Sequence, residues 1–307
     1  MHRSPFVRPA LMLALGVAAV LLASSPLVRA QAGARERTLF VSAVDADGKV
    51  VPILQPEDVI VREDGVRREV LRVSRANDPI DIALLVDNSA ASRDLTVPLR
   101  DGLKRFIDTM SGTAGAPPFQ IAVIGLAARP TILVDYTSDP TSLTNAVGRI
   151  FPDSVSGMTL LDAVVEVSSG IRRRETPRAY IVPVITDGTE FSNRYYKQVL
   201  EALSESGAGF HAITVGTFPI SDDDATRNRA FFLDEAADMT GGQRISLLSA
   251  SAVPAALESL ARELATQYKV VYSRPESLIP PEKTDVAASK PGVTVFGTPA
   301  RGQRTGG

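Results

Sequence analysis

Short runs of almost uninterrupted apolar residues alternate with longer amphipathic stretches over most of the chain. The clearest of these runs are "DIALLV" (81–86), "PFQIAVIGLA" (118–127), "AYIVPVI" (179–185) and "FHAITVG" (210–216). A strand with one wet face would alternate polar and apolar residues, so these runs predict strands that are buried on both faces. The stretches between them, such as residues 95–110, have the spacing of amphipathic helices. This alternation predicts an α/β fold: a doubly wound, mainly parallel sheet with helices on both faces.

Two of the apolar runs stop at an aspartate. The first ends at Asp87, which is followed closely by Ser89, and the other ends at Asp187. Between them in the sequence, Thr159 stands at the start of a predicted helix, after a glycine-containing loop. Because ligands of a doubly wound sheet bind beyond the carboxyl ends of its strands, these four side chains predict a site made only of oxygen ligands. Hard cations such as Mg²⁺ take such ligands.

Each of these residues also has a structural interpretation that needs no metal. Asp87 and Thr159 could cap helices. Ser89 could be a turn residue, and Asp187 could form a turn with the glycine that follows it. The residue types alone leave both interpretations open.

At these positions the chain resembles the von Willebrand factor type A domain, over about residues 80–270. The metal-ion-dependent adhesion site of that family has the pattern Asp-x-Ser-x-Ser, then a distant Thr and a distant Asp. This chain has the matching residues in the same order: Asp87, Ser89, Thr159 and Asp187. The flanking segments "VSAVDADGKVVPILQPEDVIVREDGV" and "LARELATQYKVVYS" resemble an exported bacterial subgroup described as VWFA-related proteins.

The resemblance implies a module that binds a protein partner through a divalent cation, expected to be Mg²⁺, with Mn²⁺ or Ca²⁺ as alternatives. It implies that Ser89 and Thr159 contact the cation directly. It also implies that Asp87 and Asp187 bind it directly or through water, and that an acidic residue of the partner completes the shell. No enzymatic activity is expected.

The chain departs from the family pattern at Ala91, where the family has its second serine. One direct hydroxyl ligand is therefore missing. A water could fill the gap, or Ser92 could substitute after a shift of register. A third possibility is that the site is vestigial, and the chain would then be a metal-independent scaffold of the same fold.

The first 30 residues have the pattern of a secretory signal peptide. Arg3 and Arg8 precede the apolar run "LMLALGVAAVLLA", and Val28-Arg29-Ala30 places small residues at the two positions that specify cleavage. The alternative, a membrane anchor, is disfavoured because this run is too short to span a bilayer. We therefore expect an exported protein, periplasmic or extracellular, that has no membrane span after cleavage.

Composition excludes several classes of function. Without residues 1–30 the chain has 30 basic and 35 acidic residues, so nucleic acid is not an expected partner. The chain has no cysteine, and His211 is the one histidine after residue 30, so thiol catalysis and histidine-rich zinc sites are excluded. A serine hydrolase using Ser89, Asp187 and His211 remains as an alternative.

The segments on either side of the predicted α/β domain have β character. Residues 31–79 predict a small β unit with Asp-Gly hairpin turns. Residues 271–307 predict a β tail with a disordered end. The expected organisation is a signal peptide at 1–30, the β unit at 31–79, the α/β domain at 80–270 and the tail at 271–307, with a β appendage made from both flanking segments.

Overall fold

The computed structural model describes residues 34–217, 223–275, 279, 281 and 283–301. Its strands, in chain order, are β1 (Ala34–Asp45), β2 (Val59–Glu63), β3 (Val66–Arg68), β4 (Val70–Arg75), β5 (Ile80–Val86), β6 (Phe119–Gly125), β7 (Thr131–Thr137), β8 (Arg178–Thr186), β9 (Gly209–Val215), β10 (Gln243–Leu247), β11 (Tyr268–Pro275), β12 (Thr284–Ala288) and β13 (Val293–Pro299). Its helices are α1 (Thr96–Gly112), α2 (Pro140–Gly148), α3 (Leu160–Arg172), α4 (Tyr196–Ser206), α5 (Asp224–Thr240) and α6 (Val253–Ala265). The predicted signal peptide lies outside the described residues.

The strands β5 to β10 form the central sheet, in the order β10-β9-β8-β5-β6-β7. β5 lies in the middle and pairs in parallel with β6 on one side and with β8 on the other. β7 is the exception, because it turns back antiparallel to β6. Numbered from β5, the strand order is 3-2-1-4-5-6, which is the order of a doubly wound sheet. The predicted fold class is confirmed.

The side chains of β5 explain why its sequence is apolar at every position but Asp81. Ile82, Leu84 and Val86 pack into a core with α1, α2 and α6 on one face of the sheet. Ala83 and Leu85 pack into a second core with α3, α4 and α5 on the opposite face. Every residue of β5 is buried. Because successive strand residues point to opposite faces, two covered faces favour apolar residues on both sides of the strand. Asp81, the one charged residue of β5, is buried and forms an ion pair with Arg174.

The N- and C-terminal segments form the small β appendage together. β11 pairs with β1 and β4, and β13 pairs with the other edge of β1. β12 pairs with β2, which also pairs with β3. The two sheets enclose a core that includes Leu39, Val61 and Val270. Since β11 begins at Tyr268, this strand lies across the expected boundary at residue 270.

Two elements differ from their predictions. The run "RREVLRV", predicted as one strand, divides at Glu69 into β3 and β4, because the chain passes there from one sheet of the appendage to the other. α5 starts earlier than the short helix predicted around "FFLDEAADM". Its N-terminus is capped by the Asp223 carboxylate, which accepts a hydrogen bond from the Thr226 backbone N–H at 2.8 Å. Asp223 and Asp224, which the sequence pattern places in an acidic loop, are therefore the cap and the first residue of a helix.

Of the helices in the described ranges, none combines the length and the apolar character that a membrane span requires.

Candidate metal centre

The carboxyl ends of β5 and β8 bring Asp87 and Asp187 to one edge of the central sheet. The two strands are parallel neighbours, and each aspartate follows the last residue of its strand. Ser89 lies in the loop after β5. Thr159 immediately precedes α3, and its backbone N–H donates to the carbonyl of Leu126, just beyond β6, at 2.8 Å. The structure therefore places all four predicted ligands at this edge.

Asp87 is fully buried, and both of its carboxylate oxygens accept hydrogen bonds. Oδ1 accepts from the backbone N–H of Ser89 at 2.9 Å. Oδ2 accepts from the backbone N–H of Thr186 at 3.0 Å and from the Thr186 hydroxyl. None of these bonds is a helix cap. The bond from Ser89 is local to the loop after β5, and the two bonds from Thr186 join this loop to the end of β8. Thr186 was not predicted, and its place directly before Asp187 is the one sequence signal for it.

The hydroxyl of Ser89 is buried and has no hydrogen-bond partner among the described residues. The residue is only 1% exposed. A Cβ on Gly188 would lie 3.6 Å from Ser89 Oγ and 2.6 Å from the Cβ of Ala91, so the approach of the two loops requires a glycine there. Leaving a buried hydroxyl unpaired costs ~1–3 kcal/mol. A cation bound by Ser89 would remove that cost.

The hydroxyl proton of Thr159 is donated to backbone carbonyl oxygens. Oγ1 donates to the carbonyls of Leu126 at 3.3 Å and Ala127 at 3.1 Å. Because the proton is used in this way, the oxygen keeps its lone pairs for a cation. Thr159 occupies the cap position of α3, but its side chain makes no capping hydrogen bond. Its contacts therefore do not support the interpretation as a helix cap.

Asp187 differs from Asp87 because it is exposed. Its carboxylate lies beside Gly216, at the end of β9, where an added Cβ would be 3.0 Å from Oδ2. Gly216 has a φ of +101°, which side-chain-bearing residues rarely adopt. A solvent-facing carboxylate at this position can bind a cation directly or through water.

The loop after β5 keeps Ser92 away from the gap at Ala91. The Ser92 hydroxyl donates to the carbonyl of Ser89 at 2.8 Å, and the Ser92 side chain is buried. Ala91 is exposed. The suggested substitution of Ser92 for the missing serine would require this hydrogen bond to break and the loop to shift.

A buried arginine behind the edge has no signal in the sequence. Arg229 of α5 is 1% exposed and donates from its guanidinium to the carbonyl of Gly188. Burial lowers the pKa of Arg229. The negative charges of Glu190, Asp87 and Asp187 partly offset that effect on the pKa. The protein thus has a positive charge of its own near the candidate site.

Glu190 is a further buried ionisable residue in this region. Its Oε1 accepts hydrogen bonds from the backbone N–H of Ser192 at 3.2 Å and of Leu161 at 3.4 Å. Burial raises the pKa of the Glu190 carboxyl to about 7. The carboxyl connects the loop after β8 to the first turn of α3, and nothing in the sequence around it distinguishes it from a solvent-facing loop residue.

The donor set suits a hard cation that keeps part of its water shell. No three histidine, cysteine or acidic side chains within the described ranges converge into a metal cage. The edge instead offers two carboxylates and the hydroxyls of Ser89 and Thr159. Mg²⁺ is usually held by one or two carboxylates together with several waters. The residues therefore fit the cation that the resemblance implies.

The structure does not bring His211 to Ser89 or Asp187. His211 lies four positions before the end of β9, which is about 13 Å along the strand at the usual rise per residue. Its ring is buried against Tyr180, with the ring centroids 5.3 Å apart. Burial lowers the pKa of His211 to about 4. The arrangement required by the hydrolase alternative is absent among these residues.

Comparison with known proteins gives no matching family model and no matching curated protein. Among solved structures, the chain is similar to a von Willebrand factor type A structure from Catenulispora acidiphila (11% identity, 88% of this chain and 74% of that one, TM-score 0.48). It is also similar to the von Willebrand factor domain of a type V pilus tip protein from Porphyromonas gingivalis (12% identity, 61% of this chain and 95% of that one, TM-score 0.46).

A third similar structure is proximal thread matrix protein 1 from the mussel byssus, described with a zinc-occupied adhesion motif (15% identity, 66% of this chain and 49% of that one, TM-score 0.48). The chain spans about half the length of that mussel protein. The resemblance that the sequence has to von Willebrand factor type A domains thus has counterparts among the solved structures.

Proposed function

We propose that the chain is an exported protein-binding module of the von Willebrand factor type A kind, which recognises its partner at the carboxyl edge of the central sheet through Mg²⁺. Ser89 and Thr159 would hold the cation with their hydroxyls, and Asp87 and Asp187 directly or through water. The bound cation supplies a positive charge that an acidic residue of a protein partner can bind. Mn²⁺ and Ca²⁺ are alternatives. The observation that carries this proposal is the buried, unpaired hydroxyl of Ser89 between the two aspartates.

Exposed apolar side chains near the same edge support a protein partner. Val155 is 87% exposed and Phe191 is 56% exposed. Their loops are held together, because the backbone N–H of Phe191 donates to the carbonyl of Met158 at 2.7 Å. The loop of Val155 is also tied to the loop after β5 by a hydrogen bond from the N–H of Ala90 to the carbonyl of Ser156 at 3.0 Å. Exposed apolar side chains that lie together are a common mark of a protein interaction site.

Export and the absence of enzymatic activity belong to the same proposal. Export rests on the signal-peptide pattern of residues 1–30. The mildly acidic composition supports a protein partner over nucleic acid. Among the described residues of the edge, no catalytic nucleophile is paired with a histidine or another general base, and so binding is the activity that these residues support.

A metal-independent scaffold is the second candidate, and Arg229 favours it. The buried guanidinium of Arg229 interacts electrostatically with Asp87 and Asp187. It already compensates part of the negative charge at the edge. With one hydroxyl missing at Ala91, the edge could fold without any metal. The two candidates differ in whether the purified protein binds a divalent cation at all.

The test is a calorimetric titration of Mg²⁺ and Mn²⁺ into the purified protein and into Asp187→Ala. Asp108→Ala, which removes an exposed aspartate from α1, is the matched control. The proposal expects one cation per chain for the wild type and the control, and no binding for Asp187→Ala. Equal binding by all three proteins, or none by the folded wild type, would leave the scaffold as the better account.

A further inference from the structure

The candidate site contains a second buried hydroxyl that the family pattern does not include. The Oγ of Ser156 is buried and, like that of Ser89, has no partner within the described residues. The residue is 8% exposed. Ser156 lies in the loop before α3, three positions before Thr159, where the sequence gives no reason to expect a ligand.

Backbone hydrogen bonds place Ser156 between the two loops that carry the predicted ligands. On one side the carbonyl of Ser156 accepts a hydrogen bond at 3.0 Å from the N–H of Ala90, the residue directly before Ala91. On the other side the chain continues to Met158, whose N–H donates to the carbonyl of Thr189 at 2.9 Å. Gly157 packs so closely that an added Cβ would lie 2.6 Å from that same carbonyl. Ser156 is therefore fixed beside the position where the family's second serine is missing.

Two buried, unpaired hydroxyls in adjacent loops require an explanation. A buried polar atom without a partner costs ~1–3 kcal/mol, and native proteins keep such atoms where a water, an ion or a function uses them. Ser168 also has a buried, unpaired hydroxyl in the described part of the chain, but it lies within α3, away from the edge. The distinguishing property of Ser156 is its place next to Ala90, in the same edge as Ser89.

We propose that Ser156 is a further ligand of the cation and supplies the hydroxyl that is missing at Ala91. This inference rests on the proposed function, because it needs the cation site to exist. The ligand set would then be the hydroxyls of Ser89, Ser156 and Thr159 with two carboxylates. Its charge is the same as in the family pattern, because one neutral hydroxyl replaces another. The loss of a serine after β5 would be compensated by a serine before α3.

The first experiment compares Ser156→Ala with Ser168→Ala by calorimetric titration of Mn²⁺. Both variants remove one buried, unpaired hydroxyl, so the loss of a hydroxyl as such is controlled. We expect Ser156→Ala to weaken the cation affinity by at least about tenfold, a typical size for the loss of a group that supports a metal. Ser168→Ala should bind as the wild type does. Equal affinities in the two variants would overturn the inference, although the proposed function would stand.

A rescue experiment tests whether Ser156 takes the role of the missing residue. Adding Ala91→Ser to Ser156→Ala should restore the affinity, whereas Ala91→Ser in the wild type should change it much less. This non-additivity is expected when two side chains serve one coordination position. An equal gain in both backgrounds would contradict the proposed compensation.

A thiol at the same position tests direct contact and does not depend on the alanine variant folding. The chain has no cysteine, so Ser156→Cys introduces the only thiol, with Ser168→Cys as its control. Thiolates prefer soft cations. We expect Ser156→Cys to bind Cd²⁺ more tightly than the wild type and to show a thiolate–metal absorption band in the ultraviolet. Cd²⁺ binding without that band would contradict direct contact. A folded wild type that binds no divalent cation would refute the proposed function and this inference together.

Discussion

Asp87 and Asp187 have the same predicted role, but they differ in what holds them. Asp87 is buried and accepts three hydrogen bonds, of which the two from Thr186 join the end of β5 to β8. Asp187 faces solvent beside Gly216. A single site therefore combines a carboxylate on which the fold depends with a carboxylate that is free to serve a ligand.

We expect this difference to appear as a difference in stability. Asp87→Ala should lower the free energy of unfolding by about 3 kcal/mol without metal, because buried N–H groups of Ser89 and Thr186 lose a charged acceptor. Asp187→Ala should leave it unchanged within about 0.5 kcal/mol. Urea unfolding in the presence of a chelator measures both values. Equal stability of the two variants would show that the hydrogen bonds of Asp87 do not stabilise the fold.

His211 gives a pH dependence that is independent of the metal site. Burial lowers its pKa from 6.5 to about 4, so the folded protein resists a proton that the unfolded chain accepts. The destabilisation that follows is absent above pH ~6.5. It lowers the free energy of unfolding by up to about 3 kcal/mol as the pH falls to 4. We expect His211→Phe to lose less stability than the wild type over this range.

The comparison is made at each pH by chemical denaturation of both proteins. Glu190, whose pKa is raised to about 7, acts in the opposite direction over an overlapping range, but its contribution is common to both proteins and cancels. If the difference in the free energy of unfolding between the wild type and His211→Phe is constant from pH 4 to 7, the imidazole of His211 is not buried in its neutral form.

At the scale of elements, the sequence predicts the central strands well because burial on both faces leaves a strong apolar signal. β5 and β8 are such cases, and their terminal aspartates could be found from the sequence. Ser156, Arg229 and Glu190 could not be found in this way, since each matters through contacts with loops far away in the chain. The break between β3 and β4 at Glu69 could not be predicted either, because it depends on the different sheets that these two strands join.

One element-scale contact comes from the end of the described chain. The guanidinium of Arg301 donates to the carbonyls of Ile171 at 2.7 Å, Thr176 at 2.8 Å and Ser206 at 2.9 Å. Ile171 and Ser206 belong to the last turns of α3 and α4, where carbonyls lack partners within the helix. A cation at these ends also interacts favourably with the helix dipoles.

We therefore expect Arg301→Ala to lower the free energy of unfolding by about 2 kcal/mol, allowing for the partial exposure of this side chain. Arg301→Lys should recover little of the loss, because one ammonium cannot reproduce the planar fork of donors. Arg129→Ala, which removes an exposed arginine, is the control. Thermal unfolding followed by circular dichroism measures all three, and an effect no larger than that of Arg129→Ala would contradict this role.

At the scale of the whole molecule, Gln267 joins the β appendage to the α/β domain. Its side chain accepts hydrogen bonds from Tyr180 at 3.0 Å and from Arg178 at 3.2 Å, both on β8. Its amide donates to Ser42 of β1 at 3.2 Å. All four residues are buried. The polar network thus links β8 of the α/β domain to β1 of the appendage through Gln267.

This junction predicts that the two parts unfold together. Calorimetry should give a single transition for the wild type, and Gln267→Leu should lower its midpoint, because it removes one hydrogen-bond partner each from the buried groups of Tyr180 and Arg178. Two separate transitions in the wild type would mean that the appendage and the α/β domain are energetically independent.

The central claim is that a divalent cation binds between Ser89, Thr159 and the two aspartates. Anomalous diffraction from crystals grown with Mn²⁺ tests it most directly, because it locates the ion without any assumption about its ligands. The account predicts one anomalous peak at this edge, within coordination distance of the hydroxyls of Ser89 and Thr159. An ordered edge without a peak, or a peak at any other position alone, would contradict it.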